Sequence, residues 1–263
     1  MRNLLLALTG LALTLVTGVA AAAVAASPAP ATAAAAAAAS STTDLDPDAL
    51  QALQRMRTYL STLTSYEIKS DTSQDIVLDD GQKVQLDGGV DYKVRRPNGF
   101  DIKVTSGRKV RDYIYDGRQI TVYAPQLGFY AQGPAPPTIR QTLDDAYDKY
   151  GISLPLDDLF RWGEPKDRGM APITAAMVVG DATVEGTDTT QYAFRQGTID
   201  WQVWIQNGAQ PIPRKVVITD LSDPTRPAYT VRLSWDLNPT IAANAFAFVP
   251  DKDAKQIRLA DAQ

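Results

Sequence analysis

From residue 65 onward the sequence breaks into runs in which apolar and polar positions alternate, and almost every run stops at glycine, proline or aspartate. "SYEIKSDTSQDIVL" ends in the turn "DDGQ"; "KVQLDGGVDYKVRRP", "FDIKVTSG", "RDYIYDGRQITVYAP" and "GFYAQ" follow. Ser106-Gly107 and Asp116-Gly117 lie between such runs, as hairpin turns do. Alternation at period two sends successive side chains to opposite faces, so these runs predict antiparallel strands with one apolar and one wet face. Further strands are expected at "ATVEGTDTTQYAFRQG", "IDWQVWIQ", "RKVVITDL" and "AYTVRLSWDL". In the last, Tyr229, Val231, Leu233 and Trp235 share a face. A short edge segment is expected at residues 246–249.

Two stretches change period. Asp46 offers a capping side chain and Pro47 suits the first helical position. Leu50, Leu53, Met56, Leu60 and Leu63 then follow at spacings of three and four, an amphipathic helix to about residue 64. Between residues 134 and 169, Ile139, Leu143, Ala146 and Tyr150 repeat at helical spacing before a C-cap at Gly151. "SLPLDDLFRWG" reads as a second short helix carrying Leu156, Leu159, Phe160 and Trp162. The fold class is therefore mainly β with some α. We expect a strongly curved antiparallel sheet, an incomplete β-barrel, with the N-terminal helix and the mid-chain helical insert covering its concave face.

The chain has 263 residues, and the first 43 do not suit a core. A basic Arg2, an uncharged apolar core at residues 4–16 and small residues around 23–26 predict a secretory signal peptide over residues 1–25. No cysteine follows it, so the expected product is periplasmic and not lipid-anchored. Residues 26–43, rich in Pro, Ala, Ser and Thr, read as a disordered linker. Residues 44–263, about 220 in all, suit one β-rich domain.

The sequence contains neither Cys nor His. Disulfides, Cys- or His-based zinc sites, Ser-His-Asp triads and Cys-His dyads are thereby excluded. A net charge of −4 argues against nucleic acid as a partner. Ser106-Gly107-Arg108-Lys109 matches Ser-x-x-Lys, yet it sits at a hairpin instead of a helix start and reads as a turn. The acidic pairs Asp79-Asp80, Asp144-Asp145 and Asp157-Asp158 read as turn formers or wet helix faces, and none has EF-hand spacing. No metal or cofactor is expected. Trp201, Trp204, Tyr229 and Trp235 suit either a core or the wall of a groove.

Arg96-Pro97-Asn98-Gly99-Phe100 closes a strand holding Gly88 and Tyr92; "YIYDGRQITVYAP" follows at residues 113–125, and the chain ends in "NPTIAANAFAFVPDKDAKQI". In this order the set resembles the Lol-type periplasmic lipoprotein carriers, the LolA/LolB-like superfamily. These show a strand ending in Arg-Pro-x-x-Phe, a strand pair around Asp-Gly-Lys with a Tyr-x-Pro end, and a Phe-x-Phe-x-Pro tail. "DWQVWIQNGAQPIPRKVVITD" and the long insert look more like a poorly characterised family of predicted periplasmic proteins within that superfamily.

The resemblance implies a half-barrel domain with an apolar cavity under a helical lid. It implies a non-enzymatic binding or carrier protein for a lipid or lipoprotein acyl chain, in transient contact with membrane proteins. The motif's arginine bonds the lid helices in such carriers, which makes Arg96 a lid-latch candidate; a solvent-exposed turn arginine is the plain alternative. Tyr92, Val94, Phe100, Ile102, Tyr115, Val122, Trp201, Val203 and Tyr229 are candidate cavity walls, with the inward face of each strand left open. Two other readings stand beside this one. In the first, an envelope sensor or interaction domain holds a partner's peptide or helix in the same groove. In the second, a hydrolase brings together two of Asp79, Asp144, Asp157, Glu164 and Asp200.

Overall fold

A computed structural model describes residues 45–107, 109–154 and 171–259. The expected signal peptide, the linker and most of the second insert helix lie outside them, as do Asp157 and Glu164. The described chain forms α1 (Pro47–Thr62) and α2 (Ile139–Tyr150), a 3-10 turn at Pro125–Leu127, and one sheet. Its strands are β1 (Ser65–Val77), β2 (Lys83–Arg95), β3 (Gly99–Ser106), β4 (Lys109–Tyr115), β5 (Gln119–Ala124) and β6 (Phe129–Pro134). After α2 come β7 (Ile173–Val184), β8 (Thr187–Gln196), β9 (Ile199–Gln206), β10 (Pro213–Asp220), β11 (Ala228–Asp236) and β12 (Lys255–Ile257).

The strands line up as β12-β6-β5-β4-β3-β2-β1-β11-β10-β9-β8-β7. Two meanders, β1 to β6 and β7 to β11, therefore meet where β1 pairs with β11. The sheet does not close, and the chain passes from one side of it to the far edge between β6 and β7. Every neighbouring pair is antiparallel except β12 with β6, which is parallel, so the sheet is mixed and not purely antiparallel.

Local chemistry explains the element ends. The Asp46 side chain accepts a hydrogen bond from the Asp48 backbone N–H at 2.9 Å, and Pro47 opens α1. Gly151 ends α2 in the left-handed conformation, φ 64°. The Asp116 carboxylate accepts from the backbone N–H groups of Arg118 and Gln119, both at 2.8 Å, which shapes the β4–β5 turn. The start of α1 is fastened to the β7 edge: Asp46 N–H donates to the Ala176 carbonyl, and the Asp46 carboxylate accepts from Val178 N–H. Its other end leads straight into β1. A helix of this length runs about 24 Å, roughly five strand spacings, which matches the separation of β7 from β1 in the strand order.

One face of the sheet carries the core. Directly paired residues share a face, and the register links Ile68 with Tyr92, Tyr92 with Ile102, and Phe100 with Tyr115. The same face continues through Val231 with Val216, Val216 with Val203, and Trp201 with Phe194. Leu53, Met56 and Leu60 of α1, and Ile139, Leu143 and Ala146 of α2, belong to the same buried cluster. Trp204 is the exception among the described tryptophans: it pairs in register with Lys215 on the opposite face, and the lysine ammonium lies 4.2 Å from its ring centre.

The C-terminal segment departs from expectation. Residues 246–249 form no strand; the edge strand is β12, further on. Phe246 and Phe248 alternate as a strand would, but they act as aromatic anchors on the outer face. Phe246 is buried over Gly99, where an added Cβ would fall 2.7 Å from its ring, and the Arg95 guanidinium sits 4.8 Å from its centroid. Phe248 packs against both Tyr123 and Tyr130. Tyr123 donates to the Asp251 carboxylate, and this bond raises its hydroxyl to about 12.

Asp112 is paired in register with Tyr123 on that outer face, and one of its carboxylate oxygens is buried with no partner among the described residues. Burial holds its carboxyl above the ordinary range, and Lys103 only partly offsets this. A raised carboxyl costs stability at neutral pH and stops doing so once the pH falls through its folded value and it takes up a proton. Asp112→Asn should therefore raise the melting temperature at pH 7. The gain should shrink as the pH falls and be absent near pH 3; an equal gain at both values would show that the charge is not the cause.

Candidate functional site

The inner face is not filled along its whole length. Ser70 marks the change: its buried hydroxyl donates to the Val90 carbonyl at 2.7 Å, inside an otherwise apolar stretch. Beyond it, towards the β1–β2 turn, lies a cavity of about 390 Å3, within the usual range of small-molecule sites. β1 contributes Thr72, Gln74 and Ile76; β2 contributes Leu86, Gly88 and Val90; β3 contributes Val104 and Ser106. β4 adds Lys109, Arg111 and Tyr113, and β11 adds Tyr229. All of these lie on the core side by register, for Thr72 pairs with Gly88, Gly88 with Ser106, and Ser106 with Lys109. Ser153, just past α2, completes one side.

Gly88 is required by the close approach of β2 and β3. A Cβ there would stand 2.4 Å from the Thr105 carbonyl oxygen and 3.2 Å from the Thr72 hydroxyl, so no side chain occupies this part of the wall. The wall is apolar at Ile76, Leu86, Val90 and Val104, with polar groups interspersed. Burial pushes the Tyr113 hydroxyl up, while the nearby Arg111 cation pulls it down. Burial pushes the Tyr229 hydroxyl up much further. That hydroxyl has no hydrogen-bond partner among the described residues, since Thr72, which eases it downward, does not reach bonding geometry. No group of three or more acidic side chains that would hold a metal ion occurs among the described residues.

The nine expected wall residues all fall on the core face, yet of them only Tyr229 lines the cavity. Val94, Phe100, Ile102, Tyr115 and Val203 are 0% exposed, Tyr92, Trp201 and Tyr229 are buried, and Val122 is half-buried. Tyr115 donates from its hydroxyl to the Pro136 carbonyl at 2.5 Å, and Trp201 stacks on Phe194 at 4.3 Å. Sequence reasoning missed Val90, Val104, Tyr113 and the cations of β4. They continue the same alternation one to three places along the same strands, which was the available signal.

Arg95 and Arg96 divide the two faces. Arg95 covers Phe246 outside, while Arg96 is half-buried with its guanidinium beside the Tyr66 hydroxyl, whose proton it helps to draw down against a larger upward push from burial. One Arg96 guanidinium nitrogen is buried without a partner among the described residues. The hydrogen bond from this turn to α2 is made by Pro97, whose carbonyl accepts from Ile139 N–H at 2.8 Å.

The described carboxylates of the hydrolase reading sit in different elements. Asp79 lies in the exposed β1–β2 turn, and Asp144 on α2 is 3.8 Å from Arg140. Asp200 forks to Arg195 at 2.7 and 2.8 Å. None of the three lines the cavity. Ser106 and Lys109 face each other across a turn at Gly107, φ 56°.

Comparison with known proteins finds no match among curated proteins. Among solved structures, the lipoprotein LppX of Mycobacterium tuberculosis is 14% identical, with a TM-score of 0.45 over 74% of this chain and 98% of that one. LprF from Mycobacterium bovis is 14% identical, with a TM-score of 0.40 over 74% and 96%. A LolA superfamily protein from Nitrosomonas europaea is 10% identical, with a TM-score of 0.37 over 76% and 97%. The sequence itself matches a family over residues 49–260, from within α1 to beyond β12. The chain belongs to that family, described as "Predicted periplasmic protein (DUF2092)".

Proposed function

We propose that this is a non-enzymatic periplasmic protein that binds, and in that sense carries, the acyl chain of a lipid or lipoprotein. The observation that carries the reading is the cavity of about 390 Å3 on the core face of β1–β4 and β11, walled by Ile76, Leu86, Val90, Val104, Tyr113 and Tyr229. In this reading the sheet curves round the cavity, and α1 and α2 form the lid. Arg96, beside the turn whose Pro97 bonds α2, acts on that lid. The Arg-Pro-x-x-Phe resemblance and the family's periplasmic description point the same way.

Energetics permit such binding without chemistry. Each methylene moved from water into an apolar site is worth about 0.8 kcal/mol, so eight to ten of them supply roughly 6–8 kcal/mol, micromolar affinity before ordering costs. That suits a carrier, which must also release its load.

Native mass spectrometry of the mature protein taken from its own periplasm, followed by organic extraction, tests this. We expect a bound mass that extracts as lipid. A bare protein that also fails to take up added fatty acid or lipopeptide would refute the reading.

A further inference from the structure

Resting on the acyl-chain reading, we infer that the ligand is an anionic amphiphile, whose phosphate or carboxylate oxygens are received by Lys109 and Arg111 at the cavity rim. These two side chains, with Tyr113, occupy alternate positions of β4 and so project to one face. The register puts that face on the cavity side, since Lys109 pairs with Ser106 and Arg111 with Val104.

Three observations make the pair more than a stretch of wet strand. Neither cation has a carboxylate partner among the described residues, in a chain whose net charge is −4. Among the described residues the lining contains a single carboxylate, Asp87, and its register partner Ser73 places it on the outer face. Arg111 also lines the cavity beside Tyr113, close enough to draw that hydroxyl's proton affinity down against the push of burial.

The interior supplies a second polar group. Tyr229 is 5% exposed, lines the same cavity, and has a hydroxyl without a hydrogen-bond partner among the described residues. A buried donor left unpaired is costly, and a ligand oxygen would remove that cost. Arg111 donates to the neighbouring Val110 carbonyl at 3.0 Å, which leaves its charge without a counter-charge among the described residues. An apolar wall, these two cations and one orphan donor match an acyl chain joined to an anionic head. Neutral lipid would bring no negative charge to set against the two cations. Arg111 suits a two-oxygen acceptor through its planar fork, while Lys109 adds a mobile point charge.

The test uses the mature chain and four probes at concentrations below micelle formation. These are palmitoyl-lysophosphatidylglycerol, palmitoyl-lysophosphatidylcholine, monopalmitoylglycerol and inorganic phosphate, followed by titration calorimetry. We expect the anionic lysolipid to bind at least about tenfold more tightly than the neutral monoglyceride of the same chain, as charge-assisted hydrogen bonds allow. The preference should weaken with added salt. The double variant K109Q/R111Q should lose the preference and keep monoglyceride affinity within about twofold; K109Q alone, at an exposed side chain, serves if the double variant misfolds.

Equal affinity for anionic and neutral lipid in the wild type would overturn the assignment while leaving the acyl-chain reading intact. So would a preference that survives both substitutions. Phosphate binding as tightly as the anionic lysolipid would make the ligand a free anion and overturn it too. If no amphiphile of any charge binds, the acyl-chain reading itself falls and takes this assignment with it.

Discussion

Phe100→Ala should cost about 3–5 kcal/mol of folding free energy, the range for deleting a fully buried aromatic ring. Phe100 is 0% exposed, pairs in register with Val94 on one side and Tyr115 on the other, and its ring centre lies 5.3 Å from that of Tyr115. Alanine there leaves a void in the middle of the β2–β3–β4 face. The neighbours cannot close on it, because the Tyr115 hydroxyl is held at the Pro136 carbonyl. A domain has only about 5–15 kcal/mol to lose, so this one change would remove a large share. Urea denaturation followed by tryptophan fluorescence would show it as a lower midpoint with an unchanged slope. Val122→Ala, on the same face but half-buried, should cost about 1 kcal/mol, and a similar loss at both sites would mean the core does not centre where the burial puts it.

Val104→Trp should abolish acyl-chain binding while leaving the fold in place. Val104 is half-buried and lines the cavity opposite Val90 on the adjoining strand. An indole at that position would grow into free volume instead of into packed core, which avoids the usual penalty for overpacking. The same indole would occupy the space the ligand's methylenes need. We expect at least a thirtyfold rise in Kd for a fluorescent fatty acid, the order of about 2 kcal/mol, with a stability change inside about 1 kcal/mol. Unchanged affinity in a folded variant would move the binding site away from β1–β4.

Much of this arrangement was legible in the residues. Asp46-Pro47 and Gly151 bound the two helices because capping is local chemistry. The nine expected wall residues share one face because alternation is a property of each strand, and paired strands must present matching faces to a common core. What alternation does not encode is how far along that face the packed core extends. Tyr92, Ile102 and Tyr115 are buried, and the free space begins at Val90, Val104 and Tyr113, one alternate place along the same strands. That boundary depends on contacts between residues far apart in sequence, such as the Pro97 carbonyl with Ile139 N–H.

Two other features were hidden for different reasons. Lys109 belonged to a Ser-x-x-Lys pattern, whose proper reading as a turn drew attention from the strand leading away from it. Phe246 and Phe248 carry the spacing of a strand, but their partners, Gly99 with Arg95 and the Tyr123–Tyr130 pair, lie on the outer face of the sheet. Gly99 offered a clue, since a glycine opening a strand often marks the close approach of another group.

The central claim is that an acyl chain lies in the cavity of β1–β4 and β11. It is tested most directly by photocrosslinking the protein to a fatty acid bearing a terminal diazirine and locating the adducts by peptide mass spectrometry. The account predicts adducts on peptides carrying Val90, Val104, Tyr113 or Tyr229, lost when unlabelled fatty acid competes. Competed adducts confined to the exposed Met177, Val178 and Val179 on the β7 edge, with none from the cavity, would contradict it.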